Sequence, residues 1–380
     1  MKELVRACRD ASLPLIAGVA LSLVMANAAP GAYHKIIDTP IIGDHISLHW
    51  LVNDVFMAFF FAIAAVEIVH SLRKNGPLNP PKKAVTPLMA TVGGVAGPII
   101  VFFILNALIG NADYSSGCGT TTATDIALSW LVAKMIFGHD HPAIKFLLLL
   151  AVVDDAIGLV IIAVFYPSPD APFAPVWLLL IPVAMLIAYG FKRLNVKSFL
   201  PYILVCGTIS WFGMHTAGLH AALAMVFIIP FMPVKSALHN FERKVAPAVD
   251  FGLFFFGFTA AGVEVSNIST LSLIIMLSLI IGKALGIFSM TALAVKLKYP
   301  LPEGMNLRDA AIIGIIGGIG LTVALFVCES AFVDAGLIAA AKMGALGSLL
   351  SAIIAIAVAR IRKFKGKPVP VLECLENENE

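Results

Sequence analysis

Charged residues are scarce in this chain: only 13% of its 380 residues are Asp, Glu, Lys or Arg, roughly half the usual share. Hydrophobic residues make up 59%, against about 45–50% in a typical globular chain. A soluble protein with so few charges could not cover its surface. The composition therefore excludes a soluble globular protein and predicts a polytopic membrane protein.

Cysteine is also rare. The five cysteines are scattered along the chain and include no CxxC pair. Their odd number argues against a disulfide framework, and their spacing argues against a thiolate metal site. We therefore expect no cross-linked scaffold and no cofactor.

The sequence contains many long apolar runs. About twelve of them approach the roughly 20 residues that an α-helix needs to cross a bilayer. The first run could instead belong to a signal peptide, but it exceeds the usual apolar length of about 7–15 residues. We predict an all-α protein with about twelve transmembrane helices, near residues 12–30, 51–72, 84–108, 119–138, 142–166, 173–191, 199–213, 216–233, 245–262, 272–295, 309–333 and 335–359.

Basic residues lie in alternate loops of this predicted topology. The loops and termini on one side hold nearly all of them, including Arg73, Lys192 and Arg360. The loops on the other side contain one basic residue, Lys35. Because basic residues favour the cytoplasmic side of a membrane, this asymmetry predicts an even number of spans and two cytoplasmic termini.

Two segments differ from the spans. Within residues 31–50, apolar and polar residues alternate around a Gly-Asp turn signal, which predicts a short β-hairpin on the outer side. Residues 364–380 are mostly polar and contain proline, which predicts a disordered cytoplasmic tail. No second soluble domain is visible, so residues 1–363 are predicted to form a single transmembrane domain.

Four charged residues lie near the centres of predicted spans: Asp125, Asp154, Asp155 and Lys283. A charge at the bilayer centre costs at least about 2.5–3.5 kcal/mol, so four unpaired charges would cost on the order of 10 kcal/mol. That cost is comparable to the whole stability of a protein. A buried ion pair that only fixes helix packing would explain one aspartate and Lys283, but not three carboxylates. We expect the four side chains to face one another, to face a hydrated cavity, or to be partly neutral.

Three carboxylates in such a pocket can exchange a proton for a cation. Desolvation and mutual repulsion favour their protonated forms, whereas a small hard cation binds only the ionised oxygens. Thr124 adds a neutral oxygen that suits a desolvated cation. With access from alternate sides of the membrane, this competition is the minimal chemistry of cation/proton exchange.

Two Gly-rich stretches near these charges are poor in helix formers. Residues 117–125 enter one predicted span, and residues 314–322 lie in another span of the second half. Close packing through small residues would explain the second stretch if it stood alone. Two interrupted helices in corresponding halves are typical of inverted-repeat transporters with an ion site at the midplane. Asp125 and Lys283 could also compensate the dipole ends that such interruptions expose.

Five short motifs carry these residues. They are Ala123-Thr124-Asp125-Ile126-Ala127, Val153-Asp154-Asp155, Gly218-Leu219-His220-Ala221, Ile281-Gly282-Lys283-Ala284-Leu285-Gly286 and Gly317-Gly318-Ile319-Gly320-Leu321-Thr322. Together they make the chain resemble the NhaA family of bacterial sodium/proton antiporters over nearly its whole length. The resemblance implies an inner-membrane protein that exchanges cytoplasmic Na⁺, and also Li⁺, for external H⁺. Exchange would be electrogenic, since family members move more protons than sodium ions.

The resemblance also implies roles for single residues. Asp155 would be the principal Na⁺ ligand, and Asp154 would carry the proton and pair with Lys283. Thr124 and Asp125 would lie where the two interrupted helices cross. These roles are expectations from the family, residue by residue.

Assembly and regulation are implied in the same way. The family forms homodimers, largely through an outer hairpin like residues 31–50. Glu67 and Glu242 match acidic positions that the family uses for ion entry and pH response, and His220 could tune that response. The neighbouring His70 and Arg243 depart from the family pattern, so the sequence does not predict the pH profile.

Two other functions would also place charges in a membrane. An intramembrane aspartyl protease could use two span aspartates to activate water, but its GxGD motif is absent and Lys283 would have no role. A passive cation channel needs no titrating lysine at its centre and more often uses rings of carbonyls or charges. We therefore predict a transporter rather than an enzyme, with a channel as the alternative.

Overall fold

The computed structural model of the chain is almost entirely helical. It describes residues 13–42, 46–73, 81–138, 141–166 and 174–361. The predicted tail at residues 364–380 lies outside the described residues. The predicted all-α character is confirmed, with one small sheet in addition.

The elements up to residue 165 include the helices that carry Glu67, Asp154 and Asp155. In chain order they are α1 (Leu13–Ala28), α2 (Pro30–Asp38), β1 (Pro40–Ile42), β2 (Ile46–Ser47), α3 (Leu48–Ser71), α4 (Pro81–Ile109), a 3₁₀ helix (Ala112–Thr121), α5 (Ile126–Phe137) and α6 (Pro142–Phe165).

The later part of the chain is more often interrupted. Its helices are α7 (Pro175–Arg193), α8 (Thr208–Thr216), α9 (His239–Ala260), α10 (Thr270–Lys296), α11 (Leu307–Gly317), α12 (Thr322–Ala331), α13 (Ala335–Gly347) and α14 (Leu350–Ile361). Between them lie π-helical turns (Tyr202–Gly207 and Val234–Leu238) and 3₁₀ helices (Ala221–Phe227, Ile229–Phe231 and Val265–Asn267).

Several of these helices could cross a membrane. Among the described residues, six are long and apolar enough: Leu48–Ser71, Ala84–Ile109, Pro142–Phe165, Pro175–Arg193, Thr270–Lys296 and Ala335–Ile361. Shorter apolar helices occupy four further predicted spans, at Leu13–Ala28, Ile126–Phe137, Ala221–Phe231 and Thr322–Ala331. The polytopic character is therefore confirmed, whereas the count of twelve stays a prediction.

One predicted span has a different backbone. Residues 221–231, expected to lie in an α-helical span, form two 3₁₀ helices. Gly218, with φ of 75°, ends the preceding helix in the left-handed region. Pro230 lacks the N–H that an α-helix would need at that position. Together these residues prevent one continuous helix.

The described residues divide into two compact units. Of these residues, those within 71–158 and 263–361 belong to the first unit, and those within 14–70 and 159–262 belong to the second. All four charged residues of the predicted site belong to the first unit.

In the first unit, α4 and α10 approach each other at backbone distance. A Cβ atom on Gly93 would collide with the carbonyl of Gly286, and one on Gly97 would collide with the carbonyl of Gly282. Only glycine allows this approach, as in other membrane helix pairs that pack through small residues. The contact buries the face of α10 next to Lys283, whose side chain is fully enclosed.

In the second unit, an apolar core surrounds Tyr202, which packs against Phe191 of α7. A separate contact fixes α2, because the Tyr33 hydroxyl donates to the carbonyl of Phe258 at 2.6 Å. The predicted two-stranded element is present: β1 and β2 pair antiparallel, with Pro40 opposite Ser47.

Candidate ion-binding site

The first helix break precedes α5. Residues 123–125 are not helical, and α5 begins only at Ile126. Asp125 is the N-cap, and its carboxylate accepts the N–H of Leu128 at 2.9 Å. A short polar side chain at this position accepts a hydrogen bond from a backbone N–H of the first helical turn, which has no carbonyl partner within the helix. Asp125 therefore defines where the helix resumes.

Threonine hydroxyls shape the segment before this break. Three of them donate to carbonyls three residues earlier, at 2.6–2.9 Å. Such local bonds offer the backbone an alternative to the α-helix, which fits the 3₁₀ geometry up to residue 121. The donors are Thr120, Thr121 and Thr122.

The second break separates α11 from α12. The first helix ends at Gly317 and the next begins at Thr322, so residues 318–321 are unwound. This is the Gly-rich stretch that the sequence marks as poor in helix formers. Both predicted interruptions are therefore present in the first unit.

The two breaks touch each other. The N–H of Asp125 donates to the carbonyl of Ile319 at 2.7 Å. The Thr124 hydroxyl donates to the carbonyl of Gly317 at 2.9 Å. The Asp125 carboxylate also accepts the N–H of Thr322 at 3.3 Å. One carboxylate thus lies at the N-termini of both α5 and α12, where the helix dipoles favour negative charge.

Lys283 lies beside these breaks. It is 0% exposed, and its Nζ donates to the Thr124 hydroxyl at 3.0 Å, to the carbonyl of Thr122 and to the Asp154 carboxylate. An ammonium group has three donors, so all of them are used. The lysine is therefore held by the first break and by α6 at once.

The two adjacent aspartates of α6 have different surroundings. Asp154 is fully buried and forms the ion pair with Lys283 through Oδ2. Its other oxygen, Oδ1, has no hydrogen-bond partner within the described residues. Asp155 is 6% exposed and close enough to attract Lys283 electrostatically. Because neighbouring helix residues point about 100° apart, the two carboxylates cannot be equivalent.

The remaining predicted residues lie in the second unit. Nε2 of His70 is 3.2 Å from a carboxylate oxygen of Glu242, across α3 and α9. Glu242 and Asp250 are close enough to Glu67 to repel its carboxylate. His220 is the N-cap of the 3₁₀ helix Ala221–Phe227. Glu67 and Glu242 thus belong to one acidic cluster within that unit.

Sequence reasoning missed two partners of this site. The carbonyl of Thr122 carries no residue-type signal, since every residue has one. Ser348 bonds to Gly320 in the second break, and its only signal is a small polar residue within an apolar run. Neither pattern is specific enough to single out a residue in advance.

Comparisons with known proteins identify the family of the chain. A family model described as Na⁺/H⁺ antiporter 1 matches residues 2–359. The chain belongs to this family. This membership confirms the resemblance read from the motifs.

Named relatives match along almost their full length. The chain is 51% identical over 379 residues to the Na⁺/H⁺ antiporter NhaA of Desulfitobacterium hafniense, covering 96% of this chain and 97% of the relative. It is 48% identical over 383 residues to the Na⁺/H⁺ antiporter NhaA of Geobacter sulfurreducens, covering 97% and 100%. These relatives are named as transporters, which agrees with the prediction that the chain is not an enzyme.

A solved structure supports the fold. The sodium proton antiporter MjNhaP1 of Methanocaldococcus jannaschii aligns with a TM-score of 0.51 over 96% of this chain and 99% of that chain. The sequence identity of that pair is 14%, so the likeness concerns the fold alone.

Proposed function

We propose that this protein is a secondary active transporter that exchanges cytoplasmic Na⁺ for external H⁺. The family membership supports the reaction class. The observation that carries the site is the buried contact between Lys283, Asp154 and the first helix break. A passive channel would gain nothing from this arrangement, because a fixed positive charge at its centre would repel the permeating cation.

The exchange follows from competition at Asp154 and Asp155. In the ion-free state, Lys283 neutralises Asp154 and the unwound backbone holds the lysine in place. A sodium ion that reaches ionised carboxylates offers them a stronger partner, since hard cations prefer oxygen ligands. Asp154 then turns from Lys283 to the cation, and Lys283, left without its counter-charge, releases a proton. Proton uptake from the other side restores the ion pair.

Thr124 and Asp125 serve this cycle in different ways. The Thr124 hydroxyl already contacts Lys283 and can present its oxygen to the cation when the lysine withdraws. Asp125 is held by two helix N-termini, so it contributes a fixed negative potential to the site. We assign it charge compensation together with a supporting role in ion binding.

Transport requires that the site open to alternate sides. The paired breaks support an inverted-repeat architecture of about twelve helices with the ion near the midplane, because such folds place ions between interrupted helices. If Asp155 gives up a proton before it binds Na⁺, that proton and the Lys283 proton leave for one Na⁺, and the exchange is electrogenic. Li⁺ binds the same hard oxygen ligands and is a further substrate.

The membrane, the orientation and the assembly of the protein are proposed from its family membership. We propose a bacterial inner membrane with both termini in the cytoplasm, and a homodimer formed through residues 31–50. The antiparallel pair of β1 and β2 supports the dimer proposal, because a two-stranded element leaves strand edges open to pairing with a second copy. We assign the acidic cluster of Glu67 and Glu242, together with His220, to ion entry and the pH response.

Everted vesicles with a fluorescent pH probe test this function. Addition of Na⁺ should dissipate a preformed proton gradient, and Asp155→Asn should abolish that signal while the protein stays folded in the membrane. Glu264→Gln is the matched control, because it removes an exposed carboxylate in the second half of the chain. Near-normal exchange by Asp155→Asn would refute the site. Na⁺ flux without proton movement would indicate a channel.

A further inference from the structure

A single hydroxyl group from the turn between α13 and α14 enters the second helix break. Ser348 is fully buried, and its Oγ donates to the carbonyl of Gly320 at 3.0 Å. The same Oγ accepts the N–H of Gly320 at 3.1 Å. Ser348 therefore satisfies both backbone groups of one unwound residue.

These two bonds belong to a larger set. Unwinding a helix in an apolar interior leaves backbone groups that must find other partners, because no water is available to them. Thr124 satisfies the carbonyl of Gly317, and Asp125 satisfies the carbonyl of Ile319. Both of these partners belong to the proposed ion site. Ser348 bonds Gly320 from outside that site.

Gly320 connects Ser348 to the ion site. A Cβ atom on Gly320 would lie 2.8 Å from the carbonyl of Ala123, so its backbone is packed against the residue just before Thr124. Glycine has wide conformational freedom, and without a fixed partner this peptide could rotate. The two bonds of Ser348 fix the orientation of this peptide where it packs against Ala123.

We propose that Ser348 is a positioning residue of the antiport reaction, which sets the affinity for the transported cation by fixing Gly320 against the segment that carries Thr124 and Asp125. The proposal rests on the proposed function of those two residues. Ser348 itself touches neither Lys283 nor the two aspartates of α6 in the described contacts. Ser348 therefore affects the affinity for the cation through the position of the Gly320 backbone.

The chain offers a matched control at the start of α14. Ser351 is also fully buried, three residues further on, and its hydroxyl has no hydrogen-bond partner among the described residues. Ser351→Ala thus makes the same chemical change in the same surroundings without removing a bond to the break. A difference between Ser348 and Ser351 variants isolates the two bonds to Gly320.

The test measures Na⁺-dependent proton movement in proteoliposomes at several Na⁺ concentrations, beside the melting temperature of each variant. Ser348→Ala should raise the apparent KM for Na⁺ about three- to tenfold, the range that one or two lost hydrogen bonds give. Ser348→Thr keeps the hydroxyl and should stay within about twofold of the parent, as should Ser351→Ala. If Ser348→Ala does not fold, Ser348→Cys replaces it and should raise KM in the same direction.

Two outcomes would overturn the proposal. In the first, Ser348→Ala lowers the melting temperature but leaves KM unchanged, which would make Ser348 a merely structural residue. In the second, Ser348→Thr raises KM as much as Ser348→Ala does. Failure of the proposed ion site is recognised separately, because it would appear as near-normal exchange in Asp155→Asn whatever the Ser348 variants do.

Discussion

Replacing Lys283 by glutamine tests whether this residue carries a proton or only a structural charge. Glutamine keeps two amide N–H donors, but its side chain is one bond shorter than that of lysine and carries no charge. It cannot neutralise Asp154, whose carboxylate would then be buried without a counter-charge. The substitution therefore removes the ion pair.

The expected loss of stability is large. Removing one partner of a buried ion pair typically costs about 3–5 kcal/mol, since the remaining charge is left uncompensated. At about 1.4 kcal/mol per factor of ten, that cost lowers the folded-to-unfolded ratio by roughly two to four orders of magnitude. A proton on Asp154 would relieve the cost, so the melting temperature of Lys283→Gln should fall as the pH rises. Thermal unfolding in detergent across a pH series measures this slope.

Stability alone does not show whether Lys283 carries a proton or is only a structural charge, because both roles involve the ion pair. The ratio of protons to sodium ions exchanged distinguishes the two roles. If Lys283 releases a proton when Na⁺ arrives, Lys283→Gln should exchange closer to electroneutrally, and its reversal potential in proteoliposomes should shift accordingly. Lys283→Arg is the control for the ion pair, because guanidinium keeps the positive charge beside Asp154 but does not deprotonate at accessible pH. An unchanged ratio in the glutamine variant would refute the proton-carrier role.

Three further predictions concern the rest of the molecule. Deleting residues 36–48 should give monomers by light scattering in detergent with some transport retained, and a persistent dimer would place the interface elsewhere. Gly93→Ala should destabilise the protein by about 1–3 kcal/mol in thermal unfolding, because the added methyl group overpacks against α10. Gly190→Ala is the control and should not destabilise it, since a Cβ atom there meets no atom within 4 Å. Equal melting temperatures of the two variants would contradict the backbone contact. Asp125→Asn should lower the melting temperature and the rate of exchange. Its amide oxygen can still accept the N–H of Leu128 as an N-cap, but the charge and the acceptor for the N–H of Thr322 are lost. A rate equal to the parent's would argue against charge compensation.

The parts of the site that can be predicted from the sequence are those whose residue types are energetically unfavourable in an apolar helix. Asp154, Asp155 and Lys283 stand out because a charge within an apolar run is expensive, so its presence requires a reason. The two breaks stand out because Gly and Thr interrupt otherwise apolar helices. The helical class follows from the length of the apolar runs, and the small sheet from one alternating segment.

Other features have no comparable signal. Ser348 looks like any small polar residue in a membrane helix, and only the three-dimensional contact with Gly320 distinguishes it. The 3₁₀ geometry of Ala221–Phe227 depends on Gly218 and Pro230 acting from either side of an apolar run. The direction in which Asp154 points depends on the packing of α6, which periodicity alone does not specify. These features arise from tertiary contacts rather than local preference.

The close backbone contact between α4 and α10 limits how the site can move. A shift of α10 along α4 by one residue would bring larger side chains to the places that Gly282 and Gly286 now occupy, and these would collide with the backbone of the other helix. This packing opposes sliding of α10 along α4, so we expect the two helices and Lys283 to move as one unit. Under the proposed alternating access, the site would then change sides by displacement of the whole pair or by rearrangement of the unwound segments, and not by a piston-like movement of α10.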